Sequence, residues 1–232
     1  AGIFWTVINP IVNISVYYFI FSMVMRIRVT VEETGTDSFF VFFLSGFFPW
    51  LIFSESLSKA VGILIDNANL ISKVVFPVEL LPAGGVISTF IINGIGMLFF
   101  LVYLLLSGFG HIFWLYLPAL MILHFMFIWG ICNILSALCV FIRDVREMLG
   151  IVLTVWFYAT PVIYPASMVP DFMRVIIGIN PMNMFTELYR SILLTHQISV
   201  PAVIVVAMFS AMSYLFGAYL FMRAKPAFGD VL

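Results

Sequence analysis

From Pro82 to Ile142 the chain carries no Asp, Glu, Lys or Arg, and the same holds for Ala1–Met25, Met148–Pro170 and Ser191–Met222. A bilayer hydrocarbon layer takes about 20 apolar residues to cross as a helix. Stretches of this length, repeated this often, do not fit inside one soluble core, so the solvent for most of this chain is lipid. Every backbone N–H and C=O in lipid must be bonded internally, which leaves helices or a closed barrel. Barrel strands alternate polar and apolar residues, whereas Ile91–Leu106 and Pro201–Phe209 are apolar on both parities. The expectation is an all-α, polytopic membrane protein.

Six apolar segments follow from this pattern, at about Phe4–Met25, Ser38–Ile65 (with Pro49 inside it), Ala83–Leu106, Ile112–Phe141, Met148–Tyr164 and Val200–Met222. No repeat or low-complexity linker divides them, so residues 1–232 read as one transmembrane domain. Residue 1 is Ala and the chain opens almost inside an apolar segment. An N-terminus missing from the sequence or removed by processing is expected, and the lack of a basic leader argues against a signal peptide. Six crossings put both ends on one side. With that side cytoplasmic, it holds Lys59, Lys73, Arg143, Arg146, Arg223 and Lys225, and the other holds Arg26, Arg28, Arg174 and Arg190. Six cations against four is the direction that the positive-inside rule requires.

The net charge of -1 leaves no broad basic surface for nucleic acid. No phosphate-loop, zinc-protease or nucleophile-elbow motif appears, so no covalent chemistry is assigned to this chain. His111, His124 and His196 lie at no metal-ligand spacing, and Cys132 and Cys139 read as small packing residues. Glu55 precedes Lys59 by four residues, the favourable order for a helical ion pair. An intramembrane acid is otherwise a transport-site candidate. Asn93, Asn133 and Ser136 read as interhelical hydrogen bonders, and Gly94 and Gly96 as close-packing positions.

The polar connector Asp66–Pro82 predicts a short amphipathic helix. Asn67 and Asn69 are candidate caps, Leu70, Val74 and Phe76 a candidate apolar side with Lys73 beside it, and Pro77 the stop. A helix of about two turns is not stable alone, so it lies either on the bilayer surface or in a protein groove. Arg143-Asp144-Val145-Arg146-Glu147 is a second charged knot, a solvated turn on charge grounds alone. Pro161 and Pro165, four residues apart, end the fifth segment before it completes a regular crossing. Pro170-Asp171 and Asn180-Pro181 are helix starts, giving two short helices at about Met168–Gly178 and Pro181–Leu194. They are either outer-side elements at membrane depth or an ordinary loop after a kink. Asn9, Asn13 and Tyr17 recur every four residues, a polar stripe that faces a partner helix or a water-filled path. Aromatic residues are 17% of the chain. Most of these face lipid or pack, and Trp and Tyr favour the membrane interface. Tyr17, Trp156, Tyr158 and Tyr164 are candidates for stacking on the C–H faces of sugar rings.

In order along the chain stand Gly2-Ile3-Phe4-Trp5, Asn9-Pro10, Leu44-Ser45-Gly46, Pro49-Trp50, Asn69-Leu70-Ile71-Ser72-Lys73-Val74, Phe76-Pro77 and Leu81-Pro82. Arg143-Asp144-Val145, Thr160-Pro161-Val162-Ile163-Tyr164-Pro165, Asn180-Pro181 and Arg190 follow. With these motifs the chain resembles, over essentially its whole length, the membrane subunit of ATP-binding-cassette exporters for polysaccharides, the O-antigen and teichoic-acid permeases of the ABC-2 type. The resemblance implies a permease with an interfacial helix ahead of the first span, working as a pair of copies. Two copies of a separate soluble ATPase would carry ATP and Mg, with no cofactor on this chain, and a lipid-linked glycan would be the cargo in a bacterial cytoplasmic membrane. It implies that Asn69, Leu70, Lys73, Val74, Phe76 and Pro77 form a coupling helix against the ATPase, with Arg143, Asp144 and Arg146 as a second contact. It tips Asn9, Asn13 and Tyr17 toward the substrate path, with Trp156, Tyr158 and Tyr164. Pro161, Pro165, Met168, Pro170, Asn180 and Pro181 become an outer gate. The rival readings are an ABC-2 exporter of drugs or lipids, an ion-coupled secondary transporter and a non-transporting membrane scaffold.

Overall fold

The computed structural model describes residue 12 and residues 15–73 and 77–231, with the side chains of 72, 73, 230 and 231 left aside. Among these residues the fold is helical throughout. A short apolar helix α1, Ser15–Val24, ends in a π-helical turn. It is followed by α2 (Val31–Thr34), α3 (Phe39–Ala60), α4 (Ile63–Asp66), α5 (Ala68–Lys73), α6 (Leu80–Leu106) and α7 (Leu117–Phe141). Then come α8 (Val145–Tyr158), α9 (Asp171–Ile179), α10 (Pro181–Arg190), α11 (Val200–Ala224) and α12 (Phe228–Val231). Four helical stretches, built on α3, α6, α7 and α11, are long and apolar enough to cross a bilayer. With 14 residues, α8 is about 21 Å long, short of the hydrocarbon thickness of about 30 Å.

The centre is α3, with 83% of its spanning window buried, whereas the window of α11 is only 17% buried. Its rings make the core: Phe43 stacks toward Phe47 at 4.9 Å, and Phe53 lies 5.0 Å from Trp156 and 6.0 Å from Phe127. Pro49 stays inside the helix. Lipid offers no alternative partner for the backbone, and tight packing on every side holds a proline in place that would break an exposed soluble helix.

Helices α7 and α11 pack at their closest through two glycines. A Cβ placed on Gly217 would land on the Gly130 carbonyl, and one on Gly130 would land on the Ser213 backbone. Ser213 Oγ donates across the seam to the Phe127 carbonyl at 2.8 Å. Neither glycine was singled out in the sequence. Gly96 does admit a neighbour, since an added Cβ would meet the Phe48 ring at 3.0 Å, but Gly94 faces open space.

Two ends of the bundle are defined by tertiary ties. At one, Asp66 pairs with Arg146 at 3.2 Å and Glu79 with Lys225 at 2.9 Å. At the other, the αL residue Gly35 (φ +77) presses on the Leu194 backbone, too near for any side chain there. On that same end His111 stacks on His196 with ring centroids 4.3 Å apart, so two histidines without meaningful sequence spacing become neighbours. Among the described residues no three His, Cys, Asp or Glu side chains cluster as metal ligands.

Several polar expectations change. Glu55 does not close onto Lys59: its Oε2 accepts from Asn93 Nδ2 at 2.8 Å, and Lys59 Nζ donates to Thr89 Oγ1 at 3.3 Å. Both bonds bridge α3 to α6, because side chains of a neighbouring span compete successfully with an i,i+4 partner. Asn93 is thus interhelical as expected, but Ser136 Oγ donates within its own helix to the Asn133 carbonyl, and Asn133 Oδ1 is buried without a partner.

Candidate functional site

The connector end gathers the two charged loops. Helix α5 is six residues long. The Asn67 backbone carbonyl starts it, accepting from Leu70 and Ile71 N–H, while the Asn67 side chain turns back to Ile63 O at 2.8 Å and closes α4. Asn69 is exposed and Leu70 half-buried. The inward residue is Ile71, which packs on a small separate core of Leu64, Val78, Phe221 and Phe228. Pro77 is exposed. Val74, Phe76 and the Lys73 side chain lie outside the described residues. Arg143 and Asp144 are exposed on the turn into α8, and one turn later Arg146 Nη1 reaches Asp66 Oδ1. The Arg146 guanidinium also lies over Gly62, where an added Cβ would meet Nη1 at 2.9 Å. The connector and the knot, 80 residues apart in sequence, are therefore one surface. Beside it, Glu79 receives its own backbone N–H and the Lys225 ammonium, and these hold its carboxyl below the ordinary glutamate range.

The opposite end carries the predicted break. Helix α8 stops at Tyr158, not at Tyr164. Thr160 Oγ1 bonds back to the Trp156 carbonyl at 2.8 Å, and the chain then turns through buried Pro161 and Pro165. Met168 is exposed at the end of a 3₁₀ turn, and Pro170 precedes α9 with Asp171 in the first turn. Helices α9 and α10 form a hairpin whose tip, Asn180-Pro181, is pinned to α8. The Asn180 Oδ1 accepts from Trp156 Nε1 at 2.8 Å and from the Met182 N–H at 3.0 Å. Its Nδ2 donates to Thr160 Oγ1 at 2.9 Å and to the Ala159 carbonyl at 3.3 Å. One side chain thus caps α10 and fixes the end of α8. Trp156 belongs to this joint, and it borders an apolar groove with Val152, Ile176 and Ile179.

Arg190, at the far end of α10, points into the protein. Its Nη1 donates to the Pro161 carbonyl at 2.7 Å, and Nη2 donates to Val162 O at 2.9 Å and Phe42 O at 3.4 Å. The guanidinium carbon lies 3.8 Å over the Phe42 ring. Gly46 leaves the room, since an added Cβ would meet Nη2 at 2.6 Å. Both terminal nitrogens of this half-buried cation are bonded to carbonyls while Nε stays buried without a partner, an arrangement that needs several N–H groups in a fixed fork, which only arginine has. Arg190 therefore staples the proline-rich turn to α3. The sequence drew attention to Arg190 as a motif residue but not to this contact.

Of the aromatic residues expected along a path, Tyr17 sits among rings, 5.8 Å from Phe43 and 5.3 Å from Phe157. Tyr158 is 52% exposed, and its carbonyl accepts from the Tyr164 hydroxyl at 2.7 Å. Asn9 and Asn13 lie outside the described residues.

A family model described as "ABC-2 type transporter" matches residues 1–194. An "O-antigen export system permease protein RfbA" of Klebsiella pneumoniae is 27% identical over 237 residues, covering 100% of this chain and 87% of that protein. Another of the same description from Myxococcus xanthus is 29% identical over 204 residues, covering 85% of this chain and 74% of that protein. With its helical spans, its connector surface and a family match over most of its length, this chain is a member of the ABC-2 type transporter family.

Proposed function

We propose that this protein is the membrane subunit of an ATP-driven exporter of a lipid-linked polysaccharide in the bacterial cytoplasmic membrane. Its relatives carry that kind of name, and the observation that carries the reading is the joint surface at the connector end. Arg146–Asp66 ties the end of α4, directly ahead of α5, to the Arg143–Glu147 knot, so a single soluble partner can press on both. The other end bears a helical hairpin fixed at its tip by Asn180 and at its base by Arg190. In this reading two copies pair, two soluble ATPase subunits holding ATP and Mg bind the cytoplasmic surface, and both termini face the cytoplasm. Six crossings result when the segment before α2 and α8 with its proline turn count as the first and the fifth. The chain itself performs no covalent step. Nucleotide-driven closure of the partner moves α5 and the start of α8, and α8 is joined through Trp156–Asn180 to the hairpin at the exit. Motion is thereby carried between packed, bistable elements rather than by gradual bending.

The test is co-purification and export. Lys73→Glu should release the ATPase subunit and abolish surface glycan, with the permease still folded and inserted. If the charge reversal leaves both intact, the connector is not the coupling element. If no ATPase co-purifies with the unaltered chain, the exporter reading itself fails.

A further inference from the structure

Beside the connector lies a second apolar core, separate from the main one and built of Leu64, Val78, Ala137, Val140, Phe221 and Phe228. It joins α4, the turn ahead of α6 and the ends of α7 and α11 to α12. Ile71 of α5 packs against it, and no described apolar side chain of α5 packs against the main core. A helix of six residues does not hold its place alone. The platform for α5 is therefore this small core.

A hook closes the platform. Pro226 has no N–H with which to continue the α11 ladder. The chain takes a 3₁₀ turn over Lys225–Ala227, and Phe228 returns into the protein. The Phe228 ring is fully buried, edge-on to Phe221 at 5.4 Å and 6.3 Å from Phe141. From the same turn Lys225 Nζ reaches Glu79 Oε2 at 2.9 Å, a partner 146 residues away, where the connector enters α6. Lys225 thus ties one end of the connector as Arg146 ties the other at Asp66. Helices α7 and α11, which carry the hook, meet backbone to backbone at Gly130 and Gly217. A load on α5 reaches this locked pair through Ile71 and the second core.

We propose that Phe228 and Lys225 are positioning residues for coupling: the hook after α11 sets where α5 sits and carries its displacement into the α7–α11 pair. The inference rests on the exporter reading above, which makes α5 the coupling element, and adds to it the residues that hold that element.

Position is read first, in the full permease in nanodiscs without any partner. Asn69→Cys, exposed on α5, carries a spin label, while Cys132 and Cys139 are buried and stay unlabelled. Phe228→Ala leaves a cavity in the second core and should shift the label's spectrum toward faster motion. Phe228→Leu should shift it less. Gly229→Ala, on the same hook but facing open space, should leave it unchanged. Coupling is read next, in the permease–ATPase complex and in cells. Phe228→Ala should keep the ATPase bound and hydrolysing within about twofold of the unaltered complex, yet lower surface glycan about fivefold or more. Thermal melts identify any variant that fails to fold. Lys225→Met, which breaks only a half-exposed ion pair, then replaces Phe228→Ala, with Lys225→Arg as the conservative change that should restore export. An unshifted label in a folded variant overturns the hook, as does glycan that falls only in step with lost ATPase association. If the unaltered chain retains no ATPase, the exporter reading fails, and the label alone decides whether the hook places α5.

Discussion

Replacement of Asn180 by Ala removes four hydrogen bonds at once and strands the indole N–H of Trp156. An ordinary hydrogen bond contributes about 1 kcal/mol net, and an orphaned buried donor costs about 1–3 kcal/mol. Loss of a helix N-cap alone costs about 1 kcal/mol, while interhelical bonds within membranes average only about 0.6 kcal/mol. The Ala159 contact at 3.3 Å is the weakest of the four. Together these give about 2–3 kcal/mol for Asn180→Ala. Trp156→Phe keeps most of the ring packing on Phe53 and removes the same N–H, so the two losses overlap. The double variant should recover about 1 kcal/mol relative to the sum of the singles. The assay is equilibrium unfolding in mixed detergent, read by a probe outside Trp156, together with export in cells. A destabilisation below about 0.5 kcal/mol for Asn180→Ala, or strict additivity with Trp156→Phe, would refute the pinned-tip argument.

Gly217→Leu should prevent α7 and α11 from closing, because the obstacle is the Gly130 carbonyl and not a side chain that can turn away. Gly84→Ala, which faces open space, should be silent in the same expression and melting assay. Arg190→Lys should abolish export while ATPase association persists. A single ammonium does not reproduce the fork to Pro161, Val162 and Phe42, and a normal surface glycan would argue against the staple. The lowered Glu79 pKa makes the Lys225 tie pH-dependent. A depressed carboxylate stabilises the fold above the ordinary glutamate value, and that contribution is lost as pH falls through the depressed value. Glu79's own backbone N–H is the larger cause and survives the change, so Lys225→Ala should lessen the acid limb of a melting-temperature profile without removing it, and an unchanged limb would contradict the Lys225 contribution.

What could be read from the residues was local. Pro161 and Pro165 interrupt a helix and Asn180-Pro181 starts one, because φ restriction and a missing N–H act on the next few residues whatever the surroundings. The expectation for the fifth segment erred by six residues, from Tyr158 to Tyr164, since nothing in an apolar run announces that a threonine will turn back on Trp156. The pairing of Glu55 with Lys59 failed for the reverse reason: a local rule was outbid by Asn93 and Thr89, which come from 38 and 30 residues away.

Chain composition alone decided the solvent. Charge-free runs of this length need lipid, lipid needs satisfied backbone, and helices follow. Composition did not decide which helix lies at the centre. Soluble cores declare themselves through the contrast between apolar inside and polar outside, but in a bilayer both environments are apolar, so buried α3 and largely exposed α11 read alike. The contacts that build the two ends are likewise long-range: Arg146 with Asp66, Asn180 with Trp156, Arg190 with Phe42. They depend on packing geometry, through the space left at Gly62 and Gly46 and the depth reached by the hairpin, and this exists only once the helices have come together.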